Sequence, residues 1–194
     1  MSNCYLVGCP ETMDGLIIDP GAEGKRIINR VMDLKLKIKY IFNTHGHIDH
    51  AGANREVKSA FGAPLLVHGA DAHLYRSPQA GRALFTNSDK VSSPDYLIKG
   101  KERLQVGTLT VLVLETPGHT PGSITLDLSG ILFSGDTLFA GSIGRTDLPG
   151  GSYRQIIESI KNKLLIYPDK TEVYPGHGPP STIGDERRFN PFLT

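Results

Sequence analysis

The sequence predicts an α/β fold built as a layered sandwich, and two patterns carry that reading. Short apolar segments and amphipathic helical segments follow one another in the order ββαβαβ, then βββ, then αβ. Consecutive strands with no helix between them pair as antiparallel hairpins, unlike a doubly wound parallel sheet, and the regular strand-helix alternation of a barrel is missing. The 194 residues predict one domain. At that size roughly 70% of the unfolded chain's surface is buried, enough to fold without disulfide staples.

Residues 5 to 7 and 16 to 19 read as two early strands, closed by Pro10 and by Pro20-Gly21. A helix follows, because Ile27, Ile28, Val31 and Met32 recur at helical spacing, with Lys25, Arg26, Asn29, Arg30 and Lys35 on the other face. Residues 40 to 43 form a short buried strand, and Ala53, Val57, Ala60 and Phe61 mark a second amphipathic helix. Residues 65 to 67 are a further strand. The stretch from 69 to 100 is polar and without period, and its Tyr75, Arg76 and Arg82 read as parts of a solvated loop. Residues 109 to 114 are an apolar run, 123 to 128 alternate, and Ser129-Gly130 turns the chain into 131 to 134, which makes a hairpin. Ser152 and Gln155 have the spacing of a capping box and open a helix that runs on through Ile156, Ile157, Ile160 and Leu164. Residues 172 to 174 are a last strand, and the tail from Arg187 to Phe192 reads as packing.

Composition excludes several classes of function. Lys and Arg number 21 against 20 Asp and Glu, for a formal charge of +1 with no long block of one sign, so a nucleic-acid footprint is absent. The alternation of Lys35, Lys37 and Lys39 is a solvated face leading into a strand. Cys4 and Cys9 are too few for a disulfide scaffold and read as packed thiols. The first fifteen residues carry no Lys or Arg, and no apolar run approaches the length of a membrane span. The expectation is a cytoplasmic protein without membrane contact, and the sequence gives no oligomeric state.

The chemistry lies in loops rich in the chain's 22 Gly and 13 Pro. His45, His47, Asp49 and His50 follow the strand at 40 to 43, and His119 follows the strand at 109 to 114 through Thr116-Pro117-Gly118. Asp136 follows the strand at 131 to 134 through Gly135, and His177 follows the strand at 172 to 174 through Pro175-Gly176. Four strand ends on one edge of a sheet would bring five imidazoles and two carboxylates together. That set suits zinc or iron, with manganese open, and not the oxygen-seeking magnesium or calcium. From the chain's own His and Asp frequencies, the pattern His-x-His-x-Asp-His arises by chance about 1 time in 2,000. A structural zinc site is closed, four-coordinate and usually cysteine-rich, whereas seven candidate ligands without cysteine leave room for water and substrate. His68 and His73 stand outside these motifs and read as ordinary histidines.

The run THGHIDH at 44 to 50, with PGH at 117 to 119, SGD at 134 to 136 and PGH at 175 to 177, resembles the metallo-β-lactamase superfamily over nearly the whole chain. The resemblance implies an αββα four-layer sandwich, with residues 1–194 as a single domain and two divalent metal ions between the sheets. It implies that His45, His47 and His119 hold the first metal, that Asp49, His50 and His177 hold the second, and that Asp136 bridges them. Asp49 and Asp136 are then the carboxylates of the reacting centre. Asp19, in Ile18-Asp19-Pro20-Gly21, matches the family's first motif and would orient the ligands from behind.

Within the superfamily, Asp rather than Cys at 136 and the absence of a leader argue against the common antibiotic-degrading enzymes, and the chain has no room for a nuclease branch's inserted domain. Gly135-Asp136-Thr137-Leu138-Phe139 with Gly144-Arg145-Thr146-Asp147 is similar to glyoxalase II, the hydroxyacylglutathione hydrolases. In that family a basic residue placed like Arg145 binds the glycine carboxylate of glutathione, a role that a guanidinium fork suits. Pro179 stands where the larger members have an aromatic residue, and no C-terminal helical domain follows, so the resemblance is to the short subgroup. It implies a metal-dependent hydrolase of a small-molecule, glutathione-linked thioester such as S-D-lactoylglutathione. The run at 144 to 147 is shared with persulfide dioxygenases, which keep a single iron on positions matching His45, His119 and Asp136. That is the alternative reading, together with another metallo-hydrolase of unknown ester or acyl substrate on the same site.

Overall fold

Alternation along one strand decides the architecture. In Asp14–Ile18, Leu16 and Ile18 enter one apolar cluster while Ile17 enters another, so both faces of this strand are covered. A slip of one residue would exchange the two sets, which makes the register strongly specified. The computed structural model describes residues 2–75 and 92–193. Arg76 and Arg82 lie outside the described residues.

Strands β1 (Tyr5–Gly8), β2 (Asp14–Ile18), β3 (Lys37–Phe42), β4 (Leu65–His68) and β5 (Tyr96–Ile98) form the first sheet in that spatial order. Only β1 and β2 pair antiparallel; the rest are parallel. The second sheet uses β6 (Arg103–Val106), β7 (Leu109–Glu115), β8 (Ile124–Leu128) and β9 (Ile131–Gly135) as an antiparallel meander. A hairpin of β10 (Leu138–Phe139) and β11 (Ser142–Ile143) follows. β12 (Glu172–Pro175) then adds to β9 in parallel, and β13 (Ser181–Thr182) pairs with β12 at the edge. Ser129 and Gly130, with φ of 55° and 88°, make the two-residue turn between β8 and β9, a conformation Gly adopts without strain.

Leu16, Ile18, Phe42, Leu66 and Ile98 of the first sheet meet Val111, Val113, Leu126 and Phe133 of the second in a shared core. The outer face of the first sheet, Ile17, Ile41, Leu65 and Val67, is covered by α1 (Gly24–Asp33), α2 (Ile48–Ala51) and α3 (Asn54–Phe61) through Ile27, Val31, Ala51 and Val57. The outer face of the second sheet, Leu132 and Val173, is covered by α4 (Tyr153–Ser159), the π-helical turn Ile160–Leu164 and α5 (Ile183–Phe189), through Ile156, Ile160, Leu164 and Ile183. Each such aliphatic side chain contributes about 1.5–3 kcal/mol on burial, so three apolar clusters hold four layers together. The fold is the expected αββα sandwich.

Three readings of the sequence need correction or extension. The four strand ends do not share a sheet: β3 belongs to the first, and β7, β9 and β12 to the second, so the site forms at one edge of the whole sandwich. Tyr75 is buried rather than solvated, and its hydroxyl donates to Asn43 Oδ1 at 3.0 Å and to the His45 carbonyl at 3.2 Å. The C-terminal stretch is the helix α5, capped by Thr182, whose hydroxyl accepts from the Asp185 N–H. Its Glu186 and Asn190 are buried and bind Gly141 N and the Ser142 carbonyl, so this helix holds the β10–β11 hairpin.

Candidate metal centre

The loop after β3 enters α2 with His47 as the residue before its first turn, which places Asp49 and His50 on a helical turn and His45 beneath it. Asn43, fully buried, donates from Nδ2 to the His50 carbonyl at 2.8 Å and ties the two ends of this loop. On the other sheet, the turn before His119 packs against α4. Gly118 has φ of 140°, and a Cβ there would collide with the Ile156 backbone. Ser159 Oγ and the Ser152 N–H donate to the Pro117 and Gly118 carbonyls, which fixes that turn.

All seven expected residues come together. His45, His47 and His119 form one group of converging donor atoms, and Asp49, His50 and His177 form a second, each group within 4.8 Å. His119 Nε2 lies 2.9 Å from His47 Nδ1, and His50 Nε2 lies 3.2 Å from His177 Nε2. Asp136 stands between the groups, its Oδ2 3.5 Å from both His119 Nε2 and His177 Nε2 and its Oδ1 3.4 Å from His50 Nε2. Asp49 Oδ2 is 3.2 Å from His177 Nε2 and lies on the more open side.

Asp19 lies behind the histidines, bonded to His50 and to Thr44. Its Oδ2 accepts from the Thr44 hydroxyl at 2.6 Å and from His50 Nδ1 at 3.0 Å, and its Oδ1 accepts from the Thr44 N–H at 2.7 Å. Because the Thr44 hydroxyl donates to Asp19, it accepts from His45 Nδ1, 3.1 Å away. His119 Nδ1 donates to the Arg145 carbonyl at 2.8 Å. Each of these rings therefore holds a proton on its rear Nδ1 and turns its Nε2 toward the centre, the orientation that metal-binding histidines require.

The electrostatics agree. Burial pushes His45 well below the ordinary histidine value, with the imidazoles of His50, His119 and His47 adding to it. Burial lowers His47 and takes His119 down to about 4. For His50, burial opposes the charge but is outweighed by Asp19, Asp136 and Asp49, which raise it to about 9. Burial raises the Asp136 carboxyl to about 6, against the pull of His50 and His177. The first group is thus neutral and electron-rich at pH 7, while the carboxylates around His50 demand positive charge.

The donor set fits a metal on independent grounds. His45 Nε2 and Asp136 Oδ1 are buried and have no hydrogen-bond partner among the described residues, a costly arrangement that an ion relieves. Gly176 preserves the space: a Cβ there would overlap Asp136 Oδ1 and crowd His50. His68 and His73 take no part, His68 pairing with Glu115 at 3.3 Å and His73 contacting the Ala70 carbonyl. Arg145 presents its backbone to His119, but its exposed guanidinium is engaged by Asp147 through Nε at 2.8 Å and Nη2 at 2.7 Å.

Two features of the site have no signal in the sequence motifs. Asp71 is fully buried, and its carboxylate accepts from the backbone of both histidine loops, at Gly46 N and Gly122 N. It sits in the stretch that showed no periodicity. Asn3 reaches across from the N-terminal end of the first sheet, donating from Nδ2 to the Pro175 and Gly178 carbonyls on either side of His177.

A family model described as the metallo-beta-lactamase superfamily matches residues 1–177. The hydroxyacylglutathione hydrolase GloC of Haemophilus influenzae is 40% identical over 196 residues, which cover 98% of this chain and 92% of that protein. A crystal structure of BLEG-1 B3 metallo-beta-lactamase superposes with a TM-score of 0.92 at 38% identity, over 100% of this chain and 94% of the other. A crystal structure of TTHA1623 in a di-iron-bound form gives 0.89 at 38% identity, over 100% and 96%. With its four layers and its converging histidines and aspartates, this chain belongs to the metallo-beta-lactamase superfamily.

Proposed function

We propose that the chain is a metal-dependent thioester hydrolase of the glyoxalase II type, acting on a hydroxyacyl thioester of glutathione such as S-D-lactoylglutathione. The observation that carries the reading is the pair of donor groups sharing Asp136, together with the end-to-end similarity to a hydroxyacylglutathione hydrolase. His45, His47 and His119 would hold one divalent ion and Asp49, His50 and His177 a second, with Asp136 between them. Zinc suits the set, and the di-iron form of a related protein makes iron a real competitor, with manganese also compatible. Ions held there would supply Lewis acidity and lower the pKa of water toward ~7.

The chain's own residues do the remainder. Asp19, through Thr44, and the Arg145 carbonyl fix ring tautomers, so that no reorganisation is needed when substrate arrives. Asp136 would contribute a buried carboxylate at the centre, and Asp49, half-exposed, would pass a proton toward solvent. The leaving group is the conjugate base of a thiol of pKa near ~8.5, so the site needs no strong general acid. Arg145 would receive a substrate carboxylate by exchanging its fork from Asp147.

One competing reading is a persulfide dioxygenase with a single iron on His45, His119 and Asp136, for which the run Gly144-Arg145-Thr146-Asp147 speaks. The fully assembled second group favours two ions and hydrolysis. Similarity to a B3 metallo-beta-lactamase makes a β-lactam the third substrate to compare. Purified, metal-loaded protein is assayed on a glutathione thioester, a β-lactam and a glutathione persulfide with oxygen. The thioester should give the highest kcat/KM; a higher value on either of the others would replace this reading.

A further inference from the structure

Asp19 braces both halves of the centre, at His50 directly and at His45 through Thr44, and the first half has a further brace in a buried acid far from it in sequence. Asp71 lies in the 3-10 turn Gly69–Tyr75 that follows β4, with no exposure to solvent. Its Oδ2 accepts from the Gly46 N–H at 2.8 Å and from the Thr120 hydroxyl at 2.7 Å; its Oδ1 accepts from the Gly122 N–H at 2.7 Å. Gly46 lies between His45 and His47, and Thr120 follows His119. One carboxylate therefore clamps the two segments, from opposite sheets, that carry the three nitrogens of the first group. Gly122 has no side chain because a Cβ there would run into Asp71. The second group is held by other means: Asn3 at the His177 loop, the Ser2 hydroxyl at the Asp49 carbonyl, and Asp19 at His50.

We propose that Asp71 is a positioning residue for the His45, His47 and His119 half of the centre, setting the spacing of those donors and so the metal affinity of that half alone. The inference rests on the metal reading above. Charge and shape both matter to the clamp. An amide at position 71 would turn its NH2 toward either the Gly46 N–H or the Gly122 N–H, so one donor faces another in both orientations. Thr120 offers a milder test, because Val removes the bond its hydroxyl donates to Asp71 together with the one it accepts from the Ser123 hydroxyl, and Ser retains both.

The experiment measures zinc affinity by competition with a chromogenic chelator, with the visible spectrum of cobalt-loaded protein as a second readout of ligand geometry. Asp71→Asn is placed in a His177→Ala chain, where the first group remains whole, and in a His119→Ala chain, where the second does. The expected result is a loss of about 10–100-fold in the first background, with a changed cobalt spectrum, and less than threefold in the second. Thr120→Val should lose several-fold in the His177→Ala background, and Thr120→Ser should restore it, which decides the matter even if Asp71→Asn does not fold. Equal losses in both backgrounds, or none in the first, would overturn the inference while leaving the metal reading intact. An unmutated chain that takes up neither zinc nor cobalt would overturn both.

Discussion

His50 Nδ1 lies 3.0 Å from Asp19 Oδ2, the same oxygen that accepts from the Thr44 hydroxyl, so one buried carboxylate sets the tautomer of His50 directly and of His45 through Thr44. Asp19 itself has φ of 52°, a left-handed conformation that Asn tolerates and Ala does not. Asp19→Asn should therefore keep its backbone but, in either orientation of the amide, set an NH2 against the Thr44 N–H or against the Thr44 hydroxyl and His50 Nδ1, which loosens the hold on both rings. Zinc affinity is expected to fall about 10–100-fold with activity following it, while Asp19→Ala adds a lowered melting temperature. Chelator competition and thermal melts on the two variants separate these effects.

Asn3 acts at the His177 loop of the second half. Its two side-chain hydrogen bonds to the Pro175 and Gly178 carbonyls are together worth about 2 kcal/mol, which for a chain of this size is roughly 4–8 °C in melting temperature. Asn3→Ala should show that drop and should release one zinc more readily than the other, because the His177 loop loses two of its ties while the Asn3 N–H and Tyr5 keep theirs, and His47 and His119 lose none. Calorimetry and zinc content after mild chelation check it. Equal loss of both ions would show that the N-terminal brace is not local.

Gly176 and Asp136 form a tight contact at the centre. A methyl group at 176 would occupy the space beside Asp136 Oδ1, so Gly176→Ala is expected to destabilise by about 1–3 kcal/mol and to empty both metal groups. Asp136→Ala should lose metal and activity together. Retention of full zinc content and turnover by either variant would contradict the shared role of Asp136.

The fork between Arg145 and Asp147 is solvent-exposed, so neither Arg145→Ala nor Asp147→Asn should move the melting temperature. Their kinetics should differ in sign. Arg145→Ala is expected to raise KM for a glutathione thioester more than for a thioester whose carrier has no carboxylate; Asp147→Asn frees the guanidinium and lowers KM for the glutathione substrate. Equal effects on both substrates would make Arg145 a residue of the loop backbone alone.

The legible parts of this molecule are those where one physical signal suffices. Ile27, Ile28 and Val31 repeat at helical period, Ser152 accepts from the Gln155 N–H as its spacing foretold, and the histidine motifs sit immediately past strand ends. The parts that were not legible depend on tertiary context. β5, β10, β11 and β13 span two or three residues each, too short for any alternation to register. Asp71 carries no motif, because its partners Gly46, Thr120 and Gly122 come from two other loops. The helix at the C-terminus does leave a trace, Thr182 three residues before Asp185, too short a signal to stand out among the polar residues around it.

The decisive measurement is anaerobic thiol release from S-D-lactoylglutathione by purified protein with its metal content determined, before and after chelation and after metal is restored. Hydrolysis without oxygen, lost on chelation and regained with two zinc or iron ions per chain, is the predicted result. A fully metal-loaded sample that releases no thiol, or one whose turnover ignores the chelator, would contradict a metal-dependent thioester hydrolase.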